Sequence, residues 1–268
     1  MGKKVISFSI YGDDPMYQIG ALKNLALQKQ FFPEWVCRFY VSQEIGPELI
    51  RQLQEGGAEV SQKERKHLAD GAFWRFLPAA EPDVDILIVR DTDSRLGFRE
   101  KVAVDTWLQS KKNFHIIRDH PYHYELILAG LWGCRKPILT EMAWLIERWT
   151  AFGNKWDDQH FLARRIYPRV RYDVLIHSEF IQFTGEETAL IAAPRTGSDY
   201  IGCPFLADDR LRTERSSAAH LFAQERQILP MPAYITGVKA KLRRWLDDVA
   251  FYTQQRLPYR RDLKKVQL

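Results

Sequence analysis

The sequence has little cysteine and no long apolar run, and these two absences exclude several kinds of protein. Its 268 residues include only three cysteines, which are widely spaced and form no Cys-x-x-Cys pair: Cys37, Cys134 and Cys203. Neither a disulfide framework nor a structural zinc site is therefore expected. No apolar stretch approaches the roughly 18 residues that a transmembrane helix needs. The apolar run at residues 5–10 is too short for a signal peptide, so we expect a cytoplasmic protein.

A strong charge of one sign is also missing. Lysine and arginine number 39 against 34 aspartate and glutamate residues, which gives a formal net charge of +5. This excess is small for the length of the chain, and no nucleic-acid-binding motif accompanies it, so a nucleic-acid partner is not expected. Hydrophobic residues make up 46% of the sequence and charged residues 27%. Both fractions are typical of a globular protein.

Strand and helix patterns alternate along the chain. β-Branched, aromatic or apolar runs predict strands at residues 5–10, 35–41, 58–61, 84–89, 114–117, 126–134 and 174–176. Apolar residues at helical spacing predict helices at residues 16–31, 47–54, 72–80, 101–109, 138–152 and 157–167. This order predicts an α/β fold of the Rossmann-like kind, with a mostly parallel sheet flanked by helices. Because such sheets bind ligands beyond the carboxyl ends of their strands, functional residues should follow strands.

An Asp-Thr-Asp sequence follows the most apolar of these predicted strands. Residues i and i+2 of an extended chain lie on one side, so the carboxylates of Asp91 and Asp93 can face one ion. Carboxylate oxygens suit magnesium or manganese, which often bind through one or two carboxylates and the phosphates of a substrate. The alternative is a simple turn, since aspartate and serine favour turns and helix caps.

Three segments together resemble a known family. Residues 5–11, residues 73–76 (Phe-Trp-Arg-Phe) and the strand into residues 91–94 (Asp-Thr-Asp-Ser) are similar to nucleotide-sugar glycosyltransferases of the GT-A fold. The likeness covers about residues 4–180. It is greatest to retaining enzymes of the glycogenin and bacterial galactosyltransferase type and to bacterial proteins encoded near surface-glycan genes. The resemblance implies a metal-dependent, hexosyltransferase-like enzyme that uses Mn²⁺ or Mg²⁺ and a nucleotide-diphosphate sugar, with UDP-sugars favoured.

The resemblance also implies roles for particular residues. Asp91 and Asp93 match the metal-binding aspartates, and His177 falls where such enzymes have a third metal ligand, although the Ser-Glu-Phe that follows it departs from the family pattern. Donor contacts are implied for a further set: Tyr11, Arg75, Asp91, Thr92 and Ser94. Asp158 and Gln159 match an Asp-Gln pair that faces the donor sugar.

A dense polar cluster at residues 118–123 follows another predicted strand. Asp119 or His120 would be the catalytic base if the reaction inverts the anomeric centre, because a base must reach the acceptor hydroxyl. The alternative is a proline-anchored loop whose polar groups satisfy one another. The sequence leaves both interpretations open, and it does not distinguish retention from inversion.

The chain changes character after about residue 207. We predict a catalytic domain at residues 1–207 and a basic helical extension at residues 208–268. A basic helix with aromatic anchors can lie on an anionic membrane, so peripheral contact with the inner membrane surface and a glycan or lipid-linked acceptor are hypotheses. A solvated helix face with a frayed tail is the alternative.

Two other functional classes remain open. A nucleotidyltransferase or phosphohydrolase would also use a metal at this sheet edge. Nucleotidyltransferases of related fold usually have a glycine-rich, basic loop after the first strand, whereas residues 11–15 read Tyr-Gly-Asp-Asp-Pro. A non-enzymatic binding protein is the third class, and the net charge and the basic tail are its only support.

Overall fold

A central eight-stranded sheet organises the protein. The computed structural model describes residues 2–65, 70–150, 155–195, 200–212 and 219–255. Within these ranges the strands are β1 (Lys3–Ile10), β2 (Val36–Ser42), β3 (Glu59–Lys63), β4 (Val84–Val89), β5 (Phe114–Arg118), β6 (Trp132–Arg135), β7 (Val174–Ser178), β8 (Ile181–Phe183), β9 (Thr188–Ala189) and β10 (Gln227–Leu229). The sheet order is β3-β2-β1-β4-β6-β5-β7-β9, while β8 and β10 form a separate parallel pair.

The sheet is parallel except at β6, which runs antiparallel to both β4 and β5. The predicted fold class, an α/β protein with a mostly parallel sheet flanked by helices, is confirmed. β1 lies between β2 and β4, with Ser7 opposite Val89, and the N–H of Arg90 donates to the carbonyl of Ser7 at 3.0 Å. The loops that follow β1 and β4 therefore leave the sheet side by side.

Helices connect the strands. They are α1 (Pro15–Phe31), α2 (Pro47–Glu55), α3 (Asp70–Trp74), α4 (Phe98–Gln109), α5 (Met142–Glu147), α6 (Asp157–Phe161), α7 (Tyr167–Val170), α8 (Ala233–Thr236) and α9 (Val238–Gln255). A wider helical turn, Leu162–Ile166, joins α6 to α7. α1 begins where the sequence predicts it, because the Asp14 side chain accepts from the Met16 N–H at 2.9 Å and Pro15 occupies the first turn.

Hydrophobic clusters cover both faces of the sheet. Along β1, Val5 packs into the cluster that includes α5 and α7, whereas Ile6, Phe8 and Ile10 pack into the cluster beneath α1 and α2. This alternation is the period of two expected of a strand. At about 25 cal/mol per Å² of buried apolar surface, these clusters supply the main driving force for folding.

Several predicted elements differ from the structure. The helix predicted at residues 72–80 is divided into α3 and a separate 3₁₀ turn, Leu77–Ala80. The strand predicted at residues 126–134 is present only within β6, and the carbonyl of Leu126, its first predicted residue, accepts a hydrogen bond from the Arg118 guanidinium. The helix predicted at residues 138–152 is shortened to α5, and residues 151 and 152 lie outside the described part of the chain.

The C-terminal helix α9 packs on the body of the protein. Asp247 forms an ion pair with Arg165, Asp248 lies 3.0 Å from Arg169, and the ring of Phe251 meets that of Trp144 at 5.8 Å. The basic residues predicted beyond residue 255 fall outside the described residues, and the division of the chain at residue 208 stays a prediction. None of the helices in the described ranges is long and apolar enough to cross a membrane.

Candidate functional site

A cavity of about 510 Å³ opens at the carboxyl ends of β1 and β4. Its walls come from these two strand ends, from the segments that precede β6 and α6, and from residues 200–212. The polar and charged side chains around it are Ser9, Tyr11, Tyr17, Arg75, Asp91, Thr92, Asp93, His123, Lys155, Asp158, Gln159 and Arg212. A cavity at this sheet edge agrees with the general position of ligand sites in parallel sheets.

The Asp-Thr-Asp turn is held from behind by α1. The Asn24 amide donates to the carbonyls of Thr92 at 3.2 Å and Ser94 at 2.8 Å, and its oxygen accepts from the Leu96 N–H at 3.0 Å. Asn24 is completely buried. Gly20 allows the close approach of α1, because a Cβ there would collide with the Thr92 carbonyl. The turn is therefore fixed before any ligand binds.

Arg75 joins two of the cavity's carboxylates. One guanidinium nitrogen forms an ion pair with Asp91, and the other lies 2.9 Å from Asp158. The Arg75 backbone N–H donates to Ser9 Oγ at 3.0 Å, which ties the arginine to the end of β1. The side chains of Arg75 and Asp158 are each 9% exposed, whereas that of Asp91 is 43% exposed. Asp91 therefore faces the cavity as well as its arginine partner.

Asp93 is the more enclosed of the two aspartates. Burial, followed by the nearby negative charge of Asp91, raises the pKa of Asp93 to about 6. Its nearest described cation is Arg212, whose guanidinium lies 3.6 Å from the carboxylate. Burial also raises the pKa of the Asp158 carboxyl, and Arg75 opposes that effect. The negative charges of Asp91 and Asp93 thus lie close enough to repel each other, and a bound cation would stabilise them.

Most of the predicted site residues converge here. The cavity is lined by Tyr11, Arg75, Asp91, Thr92, Asp93, Asp158 and Gln159. Four predicted residues are not in its lining: Ser94, Asp119, His120 and His177. Ser94 lies beneath the turn, where its hydroxyl donates to the Asp91 carbonyl at 2.8 Å. It shapes the turn instead of facing the cavity.

Asp119 is enclosed by hydrogen-bond donors. It is 1% exposed, and its carboxylate pairs with Arg99 and Arg195 at 2.8 Å each and accepts the Ile201 N–H at 3.0 Å. These contacts match the alternative in which the polar groups of this loop satisfy one another. Its carboxylate oxygens are therefore already occupied by hydrogen-bond donors of the protein.

His120 is also buried beside the cavity. Its Nδ1 accepts the Tyr122 N–H at 3.0 Å, and its ring lies 4.2 Å from that of Tyr200. His123, from the same loop, is the residue that reaches the cavity. Burial lowers the pKa of His123 to about 3, so its ring is neutral at ordinary pH.

His177 lies at the end of β7, inside the core. Its Nδ1 is 2.8 Å from Nε2 of His115, and both rings are fully buried. Burial lowers the pKa of His177 to about 4. In the sheet order, β6 and β5 separate β7 from β4, so the structure does not bring His177 to Asp91 and Asp93. The described residues contain no group of three metal-ligating side chains.

Several cavity residues were missed by the sequence analysis: Tyr17, Lys155, Trp156 and Arg212. Tyr17 belongs to α1, where its position in an apolar helical pattern gave no functional signal. Lys155 and Trp156 precede α6, and the Lys155 ammonium lies 4.6 Å from the Trp156 ring. Proximity to the predicted Asp158–Gln159 pair was the only signal that could have found them. Arg212 comes from a distant segment with no motif.

Gly130 gives a direct test of the cavity's geometry. A Cβ on Gly130 would collide with the Asp91 carboxylate. We expect Gly130→Ala to displace that carboxylate and to weaken the metal-dependent nucleotide binding predicted from the sequence by about tenfold or more, since displacements near 1 Å are costly at such sites. The measurement is calorimetric titration. Gly46→Ala is the matched control, because a Cβ there meets nothing within 4 Å; equal binding by both variants would contradict the expectation.

Comparison with known proteins gives similarity only at the level of solved structures. No protein-family model matches the sequence, and no curated protein matches it. A glycosyltransferase involved in glycosylation of the major capsid of PBCV-1 is 13% identical, with 68% of this chain and 84% of that chain covered and a TM-score of 0.45. A Pyrobaculum calidifontis mannosyltransferase, solved with GDP-Man and Mn²⁺, is 14% identical, with 73% of this chain and 58% of that chain covered and a TM-score of 0.43. A Bacillus anthracis protein described as a glucose-1-phosphate thymidylyltransferase is 11% identical, with 66% of this chain and 86% of that chain covered and a TM-score of 0.42.

Proposed function

We propose that this protein is a metal-dependent glycosyltransferase that moves a sugar from a nucleotide-diphosphate donor to a glycan or lipid-linked acceptor. One observation carries the proposal: the carboxylates of Asp91, Asp93 and Asp158 line the same cavity as three cationic side chains, at the carboxyl edge of the sheet. The carboxylates can bind a divalent metal ion, and the cationic side chains can bind phosphate groups. The three cations are Arg75, Lys155 and Arg212.

The donor set fits Mn²⁺ or Mg²⁺. Asp91 and Asp93 provide hard oxygen ligands from one turn, and burial, followed by the charge of Asp91, raises the pKa of Asp93. Two protein carboxylates leave coordination positions for water and for phosphate oxygens, which is how these ions usually bind. When bound, the ion would neutralise the diphosphate and favour its departure.

The chain's own residues would bind and orient the donor. Arg212 and Lys155 can donate to the phosphates, while Arg75 holds Asp91 and Asp158 in a fixed relation. The Oε1 of Gln159 is buried and has no hydrogen-bond partner among the described residues. A buried acceptor without a partner costs about 1–3 kcal/mol, and a sugar hydroxyl would satisfy it. We therefore place Asp158 and Gln159 beside the donor sugar.

We do not assign a role in the proposed reaction to the other predicted site residues. Asp119 is neutralised by two arginines, and His120 lies outside the cavity lining. We place neither at the acceptor hydroxyl. His177 is likewise left out of the metal site, because its contacts are with the core.

Contact with a membrane is the second part of the proposal. α9 exposes an apolar stripe at helical spacing: Val238, Leu242, Trp245, Leu246, Val249 and Tyr252. Lysines and arginines flank this stripe, as in helices that lie on anionic lipid. We expect Trp245→Ser to reduce co-sedimentation with phosphatidylglycerol vesicles several-fold, and the exposed Tyr172→Ser variant to leave it unchanged. Equal sedimentation of both variants would remove the membrane from the proposal.

The experiment that tests the enzymatic proposal is a calorimetric titration with UDP and with GDP, in the presence and absence of Mn²⁺. Binding of one nucleotide that requires Mn²⁺ would support a nucleotide-sugar donor and identify its nucleotide. If neither nucleotide binds with Mn²⁺ or Mg²⁺, the Asp-Thr-Asp turn has a structural role and the proposal fails.

A further inference from the structure

A second cavity of about 510 Å³ lies between α9 and the helical segment that runs from α6 to α7. It shares no lining residue with the cavity at the sheet edge. Its walls include apolar and aromatic groups from Trp149, Tyr234 and Val238. Its charged residues are Arg164, Arg165, Arg169, Lys239, Arg243, Arg244 and Asp247. Six cationic side chains and one carboxylate therefore line this cavity.

The described ion pairs of this cavity's cations involve Arg165 and Arg169. Asp247 pairs with Arg165, and Arg169 pairs with Glu141 and Asp248. The remaining cations in the lining come mainly from α9. Among the described residues, neither Lys239 nor Arg243 has a carboxylate within 4.0 Å.

Part of this positive charge is buried. Arg165 is 5% exposed. Burial lowers the pKa of Arg165, and repulsion from the positive charges of Arg243 and Arg169 lowers it further. The negative charge of Asp247 has the opposite effect. Bringing like charges together in a partly enclosed space costs free energy, which an anionic ligand would recover.

We propose that this second cavity binds a phosphate-bearing anion, held by Lys239 and Arg243 against the arginines of the α6–α7 segment. Arginine and lysine at a concave surface form strong charge-assisted hydrogen bonds with phosphate oxygens. The apolar wall formed by Tyr234 and Val238 suits a ligand that carries an apolar group next to its phosphate. Both a lipid diphosphate and a soluble phosphorylated molecule have this chemistry. The site is independent of the proposed glycosyl transfer.

The test is a titration of the full chain with inorganic pyrophosphate, without divalent metal, in low salt. The variant Lys239→Gln/Arg243→Gln should bind at least about tenfold more weakly than the wild type, because each lost charge-assisted contact is costly. Both side chains are exposed, so the double variant should fold normally. Arg51→Gln, an exposed arginine on α2, is the matched control. Asp93→Ala should leave this binding unchanged, whereas it should abolish Mn²⁺-dependent nucleotide binding.

Equal pyrophosphate binding by Lys239→Gln/Arg243→Gln and Arg51→Gln would overturn the proposal, as would the absence of pyrophosphate binding by the wild type. A vesicle assay then distinguishes the sources of the phosphate. Stronger wild-type binding to phosphatidylcholine vesicles with a polyprenyl diphosphate than to vesicles with equal charge from phosphatidylglycerol indicates a lipid ligand. Equal binding to the two vesicles, with pyrophosphate binding retained, indicates a soluble one.

Discussion

Replacing Asp93 with alanine should weaken the proposed Mn²⁺-dependent binding of a donor nucleotide by at least about 100-fold, since even outer-shell partners of metal ligands change affinity by 10- to 100-fold. Asp93 is the more enclosed carboxylate of the pair, and its nearest described cation, Arg212, lies 3.6 Å away. The variant should lose the dependence on Mn²⁺ itself, because Asp91 alone provides a single protein ligand. Calorimetric titration with UDP or GDP measures both effects.

The control for this experiment is Asp105→Ala. Asp105 is a half-exposed aspartate on α4 that pairs with Lys101 one helical turn away. Its removal should change stability by less than about 0.5 kcal/mol and leave nucleotide binding intact. If Asp93→Ala binds nucleotide as tightly as Asp105→Ala does, with the same response to Mn²⁺, Asp93 is not a metal ligand.

Replacing Arg75 with methionine should destabilise the protein by about 3 kcal/mol, the lower end of the range for breaking a buried ion pair. Asp158 would stay buried without its cation, while the more exposed Asp91 can recruit water. For a chain of this size, the loss corresponds to a fall in Tm of about 6–12 °C. The measurement is thermal unfolding of the variant against Arg51→Met, an exposed arginine whose loss should be nearly neutral.

Two further readouts separate the roles of Arg75. Adding Asp158→Asn should restore part of the lost stability, because it removes the uncompensated charge. Mn²⁺ should raise the Tm of Arg75→Met by more than it raises that of the wild type, since the arginine no longer competes with the metal for Asp91. A Tm that is insensitive to Mn²⁺ in both proteins would argue against a metal at Asp91.

The local parts of the fold were predictable from the sequence. Alternating strands and helices, the start of α1 to within one residue and the polar turn after β4 depend on neighbouring residues, so their patterns are visible in the sequence. The prediction was wrong at residues 126–131, which carry a strand-like composition. The carbonyls of Leu126 and of the preceding Glu125 accept hydrogen bonds from the guanidinium of Arg118, which lies at the end of β5.

The sequence by itself determined the α/β architecture and the delivery of Asp91 and Asp93 to the carboxyl edge of the sheet, because apolar periodicity and turn chemistry act over a few residues. Only the tertiary structure decided which charged residues meet. Arg75 reaches Asp158 across 83 positions and Arg195 reaches Asp119 across 76, whereas His177 turns to His115 in the core. With 39 lysines and arginines and 34 acidic residues in the chain, many pairings are chemically equivalent. Packing selects among them, because the stability of an ion pair depends on its distance and burial in the folded protein.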